Sequence, residues 1–124
     1  MKKNKITTRI SLKGSNAPGS LLETLAVCIL SAKKLLSDPD VAVFQIDDRT
    51  LLEIYGIGFL RPQMIFDHQN PVMNFRVDDL ERSVEVMLSA GAKSAEGIIR
   101  NCNTFAYCHL QLEEGYVVGL FQEG

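Results

Sequence analysis

The chain has no apolar run approaching the ~20 residues that a bilayer-spanning helix requires. Its basic opening, Lys2, Lys3 and Lys5, is too short for a nucleic-acid stripe, and no apolar segment follows it as in a secretory leader. Basic excess is missing as well: the net charge is −2 and the pI about 5.6. That leaves no electrostatic footprint for nucleic acid. The expectations are a cytoplasmic protein with no nucleic-acid and no membrane partner. Cysteine is scarce. Cys28, Cys102 and Cys108 are an odd set without Cys-x-x-Cys spacing, which argues against a disulfide framework and a zinc knuckle. Cys28 falls on an apolar helical stripe and Cys108 in a strand, so both are expected as small buried hydrophobes.

What is present suits a globular chain. At 124 residues, 46% apolar and 23% charged, it has the length of a single domain, 1–124, able to bury a core of its own. The pattern repeats weakly with a period of roughly 65 residues, which must be noticed before the fold is assigned. Module one spans about 5–56, a connector about 57–70, and module two about 71–122.

Module one opens with a strand over 5–13, then a loop through Gly14, Pro18 and Gly19. Ser20 and Glu23 have capping-box spacing. Leu21, Leu22, Leu25, Cys28, Ile29, Ala32, Leu35 and Leu36 recur at helical intervals, so one helix is expected, stopped at Asp38-Pro39-Asp40. Strands over 41–47 and 51–55 flank a turn at Asp48-Arg49. Module two has a strand over 72–77 and a helix capped by Asp78 or Asp79. Leu80, Val84, Met87 and Leu88 form that helix's stripe, and Gly91 its C-terminal cap. Strands over 98–101, 104–112 and 116–121 follow, with Glu113-Glu114-Gly115 as the last turn. The fold class is therefore α+β: two tandem βαβββ modules, each a curved mixed sheet with a helix on its outer face, enclosing a cleft.

Strand alternation sorts the side chains. One face carries Phe44, Ile46, Met73, Phe75, Val77, Ala106, Cys108, Leu110 and Leu112, suited to lie under a helix. The other carries Gln45, Leu51, Glu53, Tyr55, Val72, Asn74, Arg76, Phe105, Tyr107, His109, Val117, Gly119 and Phe121. Tyr55, Phe105, Tyr107 and Phe121 are too many rings for a solvated surface. Aromatics with a few polar groups mark either a small-molecule pocket or a subunit interface.

Phe75-Arg-Val-Asp-Asp-Leu-Glu-Arg-Ser83, with Ala90-Gly-Ala92 after it, resembles the strand-to-helix junction and helix end of the vicinal-oxygen-chelate superfamily. That superfamily includes glyoxalases, bleomycin-resistance proteins and extradiol dioxygenases. Leu51-Leu-Glu-Ile-Tyr-Gly56 and Tyr116-Val-Val-Gly-Leu-Phe-Gln122 are similar to its closing strands. In metal-using members, the opening strand of each half supplies a His or Gln and each closing strand a Glu. Carried over, these positions fall on Arg9 (or Thr8), Glu53, Val72 and Gly119. Glu53 alone is a ligand, and one carboxylate does not hold a divalent ion against water.

The resemblance thus implies a metal-independent binding protein with no cofactor and no metal residues. Its small-molecule ligand would be partly aromatic or amphipathic. The residues expected to meet it are Arg9, Gln45, Glu53, Tyr55, Asn74, Arg76, Phe105, Tyr107, His109 and Phe121. Glu53 is either an ion-pair partner of Arg9 or Arg76, or a catalytic base beside Tyr107 or His109. His109 and His68 are read as hydrogen-bonded structure, with a rebuilt metal site as the alternative. The competing function is a lactoylglutathione-lyase-like or other family enzyme, with a displaced metal site or metal-free acid–base chemistry. The resemblance also implies a homodimer. The apolar connector, with Phe59, Leu60, Met64, Ile65 and Phe66, reads as a lid, a docking segment or local packing.

Overall fold

A computed structural model describes residues 6–14, 17–56, 66, 69–94, 96–101 and 105–123. Cys102, His68 and all of the connector except Phe66, Gln69 and Asn70 lie outside the described residues. The fold is α+β, and the chain divides into two compact units, Met1–Pro71 and Val72–Gly124.

In the first unit, strands β1 (Thr8–Lys13), β2 (Lys33–Ser37), β3 (Val41–Asp47) and β4 (Thr50–Tyr55) lie side by side in the order β2-β3-β4-β1. β1 runs parallel to β4, while β2–β3 and β3–β4 are antiparallel. The sheet is therefore mixed. Its β1 end is pinned by Asn70, whose amide accepts from the Lys13 N–H at 3.0 Å and donates to the Lys13 carbonyl at 2.8 Å. One face buries Ala42, Phe44, Leu52 and Ile54 with Ala26, and Ile10, Leu12, Leu22, Ala32 and Ile46 pack against them.

The single helix expected between β1 and β3 is not what forms. Helix α1 (Leu21–Thr24) continues into one π-helical stretch, Leu25–Ile29, and ends there. Ser31 then takes a left-handed φ of 53°, and residues 33–37 turn into β2, antiparallel to β3. The Asp38-Pro39-Asp40 stop is the β2–β3 hairpin turn, where the Asp38 N–H meets the Val41 carbonyl at 2.9 Å. The Leu35-Leu36 pair suits either period. The ladder to β3 gives the backbone groups of 33–37 partners that an isolated helix end lacks. Most of the expected stripe is correspondingly exposed: Leu21, Leu25, Ile29, Leu35, Leu36 and Cys28 all reach the surface, while Leu22 and Ala32 pack on the core and only Ala26 of the helical segments is buried. Cys28 is thus not the buried hydrophobe expected. Ser20 does cap α1, accepting from the Glu23 N–H at 3.2 Å, while Glu23 accepts from the Gly19 N–H instead of reaching back to Ser20.

In the second unit, β5 (Val72–Arg76) precedes α2 (Leu80–Ser89). Strands β6 (Lys93–Ser94), β7 (Ile99–Asn101), β8 (Phe105–Gln111) and β9 (Val117–Glu123) follow. β5 is parallel to β9, β9 antiparallel to β8, and β6 and β7 both pair antiparallel with β8. Asp79 caps α2 by accepting from the Arg82 N–H at 3.2 Å, and Gly91 follows the helix at φ 117°. Leu80 and Val84 bury against Ala106, Cys108 and Leu110, with Val77, Met87, Val118 and Leu120 around them. Leu88 and Phe75 depart from their expected place, being largely exposed. Glu113–Gly115 forms a short 3-10 turn between β8 and β9.

Candidate functional site

The face of each sheet opposite its helix carries the expected site residues. In the first unit they gather around Glu53. β1 and β4 are parallel with Ser11 beside Glu53 and Arg9 beside Leu51, so alternation sends Arg9, Ser11, Glu53 and Tyr55 to one side. The Arg9 guanidinium donates to Glu53 Oε2 at 2.8 Å. The Ser11 hydroxyl donates to Oε1 at 3.0 Å and the Tyr55 hydroxyl to the same atom at 3.1 Å. Glu53 is buried, and both of its oxygens are engaged. Of the two roles considered for it, the geometry displays the ion pair with Arg9. Arg76 pairs elsewhere, with the main-chain carbonyl and carboxylate of Glu123. Tyr55 also meets the ring of Phe66 at 6.0 Å. Gln45 turns along its own strand, its amide donating to the Asp47 carbonyl at 3.1 Å.

In the second unit the same alternation lines up Phe105, Tyr107 and His109 on β8 and Phe121 on β9. Phe105 stacks on Phe121 at 5.9 Å and meets Tyr107 at 6.0 Å, and Tyr107 stands edge-on to the His109 ring at 5.6 Å. Phe121 is fully buried, while Phe105 keeps partial exposure. Gly119 lies between Asn74 of β5 and His109 of β8, its Cα partner on either side. A Cβ at Gly119 would stand 1.8 Å from Asn74 Oδ1. The Asn74 amide occupies the space that a side chain at 119 would need.

Sequence reasoning missed two residues. Ser11 is two positions from Arg9, so strand alternation already put it on that face. Glu96 had no such signal. It sits between β6 and β7, outside any periodic pattern, and its carboxylate meets His109 Nδ1 at 2.7 Å.

A divalent ion does not suit these residues. At the four strand positions stand Arg9, Glu53, Val72 and Gly119. Of these, Val72 has no donor atom, Gly119 no side chain, and Arg9 carries positive charge 2.8 Å from Glu53. Among the described residues no three of His, Cys, Asp and Glu gather as a ligand set. A separate open groove of about 520 Å³ lies at the end of α2, lined by Met87, Ala90, Leu112 and Tyr116 among others. None of the expected site residues line it. Among the described residues Glu113 is its one charged lining group, so these do not converge on it as the polar groups of a built site do.

No family model matches the chain, and no curated protein matches it in sequence. Solved structures do. A glyoxalase/bleomycin resistance protein/dioxygenase superfamily member from Vibrio splendidus superposes with a TM-score of 0.63 at 15% identity, covering 94% of this chain and 97% of its own. The chain has the vicinal-oxygen-chelate fold. A methylmalonyl-CoA epimerase is similar with a TM-score of 0.64 at 11% identity, over 97% of this chain and 95% of that one. A protein described as an NAD-dependent benzaldehyde dehydrogenase from Legionella pneumophila is similar with a TM-score of 0.67 at 10% identity, over 94% and 99%. Identities this low speak for the fold and not for the reaction. No helix among the described residues is long and apolar enough to cross a membrane.

Proposed function

We propose that this vicinal-oxygen-chelate protein binds a small, partly aromatic molecule without a metal. The observation that carries the reading is the crowding over Gly119. Where metal-using relatives of this fold place a coordinating carboxylate, the Asn74 amide fills the space. The tethering of Glu53 by Arg9, Ser11 and Tyr55 supports the same conclusion, because a carboxylate with three donors in place is poorly free to coordinate an ion or take up a substrate proton. The row Phe105, Tyr107 and His109 supplies flat apolar area beside a polar ring edge, the composition of a small-molecule site. The activities named for the structural neighbours differ from one another, so none is carried over.

The test has two arms. Protein purified without added metal is assayed for bound zinc, nickel, manganese and iron, and less than a tenth of an equivalent is expected. Its melting temperature is then followed against a panel of small aromatics and aliphatics, since a ligand selective for the native state raises apparent stability. Stoichiometric metal held at Glu53, or a panel in which only aliphatics shift the melting temperature, refutes the reading.

The protein is also proposed to form a homodimer through β2. Among the described residues β2 pairs with β3 alone and leaves its other edge open. Lys33 and Lys34 stand at one end of the strand, and Asp38 and Asp40 follow the other. A two-fold antiparallel pairing of two such edges sets Leu35 and Leu36 of the two copies side by side and brings the lysine end of each strand near the acidic end of the other. The lysines and the register shift near Leu35 guard such an edge against indiscriminate pairing. Pairing with its own charge complement is the arrangement they permit.

A further inference from the structure

Exposed apolar side chains are unevenly distributed. Among the described residues, seven of the eleven large ones lie within residues 21–36. Leu21, Leu25, Val27, Ile29 and Leu30 stand out from the helical stretch, with Leu21 88% and Ile29 70% exposed. Leu35 and Leu36 follow on β2. Single apolar residues are normal on a surface, but a cluster of this density marks an interaction site. The helical stretch and the strand are also neighbours in space. Ala26 belongs to the core with Ala42 and Phe44 of β3, and Glu23 reaches Lys34 of β2 at 2.9 Å. The stretch therefore lies over β3, next to the open β2 edge.

Charge and hydrogen bonding say what covers it. Residues 21–40 hold Lys33 and Lys34 against Glu23, Asp38 and Asp40, and Lys34 is already paired with Glu23. A helix that lies on an anionic bilayer carries a basic polar face, and this one does not. Lipid tails also have nothing to offer the N–H and C=O groups along the free side of a strand. A second copy supplies both a strand edge and an apolar surface.

Symmetry brings the two together. Antiparallel pairing of two β2 edges in one sheet puts the two-fold axis perpendicular to that sheet, so both helical stretches stay on the same side of it. Strands lie about 4.8 Å apart, so the axis passes roughly 2.4 Å from β2 and roughly 7 Å from β3. A stretch held between those strands stands about 10–14 Å from its mate, and a helix with its side chains is about 10–12 Å across. The projecting Leu and Ile side chains then meet their counterparts instead of water.

We propose that residues 21–30 are the apolar half of a two-layer interface with a second copy of this chain, the paired β2 edges being the other half. This deepens the β2 dimer proposed above and rests on it. The β2 edges supply main-chain hydrogen bonds, and the helical side chains supply the buried apolar area that a lone strand pair lacks.

The full chain is followed by sedimentation velocity. Wild-type protein is expected to dimerise, and Leu21→Ser and Ile29→Ser each to raise the dimer dissociation constant about tenfold. Both side chains are exposed in the single chain, so the denaturant midpoint of dilute, monomeric protein should not fall. Cys28 is exposed within the same stretch. A bismaleimide is expected to join it to Cys28 of a second copy in wild-type protein and not in Lys33→Glu, read by peptide mass spectrometry. A dimer that Lys33→Glu weakens and neither serine variant does overturns the helical contact and leaves β2 pairing standing. A dimer that the serine variants weaken and Lys33→Glu does not overturns the shared interface. Protein that stays monomeric at all concentrations overturns both. So does monomeric protein that sediments with phosphatidylglycerol vesicles unless Ile29 is replaced, since lipid is then what covers the patch.

Discussion

At the scale of single residues, Gly119 and Glu53 make opposite demands. Gly119 is a packing requirement. Gly119→Ala drives a methyl into the Asn74 amide and is expected to lower stability by about 1–3 kcal/mol, read as a lower denaturant midpoint. Because the clash has one named partner, Asn74→Ala should relieve part of that loss, and the double variant should be more stable than the two singles added together imply. Glu53 is an electrostatic requirement. Glu53→Gln keeps the shape but leaves the Arg9 charge part-buried with an uncharged acceptor. A cost of about 1–3 kcal/mol is expected, discounted from a fully buried pair because Arg9 retains some solvent contact. Chemical denaturation checks it, and a change within experimental error refutes the structural role. The thiols also separate at this scale. Burial first, and then the Glu96 charge, push the Cys108 thiol up, against a lowering by the Ser94 hydroxyl. Cys28 is exposed. Iodoacetamide at mildly alkaline pH should label Cys28 in the native protein and Cys108 only after unfolding, read by peptide mass spectrometry. The sign for stability follows. A thiol whose pKa is higher folded than unfolded favours folding less as pH climbs above the ordinary thiol range, and the loss continues until the folded thiol itself ionises.

At the scale of elements, the two helices show how far periodicity reaches. In α2, Asp79, the stripe of Leu80, Val84 and Met87, and Gly91 do what their types and spacing imply. Asp79→Ala is expected to cost about 1 kcal/mol, measured by thermal unfolding, and Asp79→Asn to cost much less. Between β1 and β3 the same kind of pattern misled. Apolar residues at helical intervals from Leu21 to Leu36 lie in helix only as far as Ile29, because β3 offered the backbone of 33–37 a ladder. Helical periodicity and strand pairing competed there, and pairing won. Leu36→Pro distinguishes the outcomes. In β2 it introduces a residue that strands tolerate only at an edge or a bulge, and a modest loss is expected. Within a helix interior it would cost about 3 kcal/mol or more. Circular dichroism with denaturant unfolding reads which applies.

At the scale of the whole molecule, the testable claims are association and indifference to metal. If two β2 edges pair, Lys33→Glu should raise the dimer dissociation constant at least tenfold in sedimentation experiments. Lys33→Glu combined with Asp38→Lys should restore it, because the charges are exchanged and the complement kept. A monomer at all concentrations in wild-type protein sinks that surface. Zinc or nickel at modest excess should leave the melting temperature of the native chain unchanged, since only a species that binds the folded state can raise it.

The sequence by itself determined which side chains share a sheet face, where α2 begins and ends, and that Val72 and Gly119 have nothing with which to bind an ion. These follow from alternation, capping and residue type, all of them properties of neighbours along the chain. Alternation likewise grouped Glu53 with Tyr55, and Phe105 with Tyr107 and His109, while Arg9 was put beside Glu53 by the family resemblance. Tertiary structure alone decided that 33–37 is a strand, that the Asn74 amide fills the place over Gly119, and that Glu96 closes on His109. Each of those depends on a partner in another element, brought near as the chain folds, and no local periodicity records such a partner.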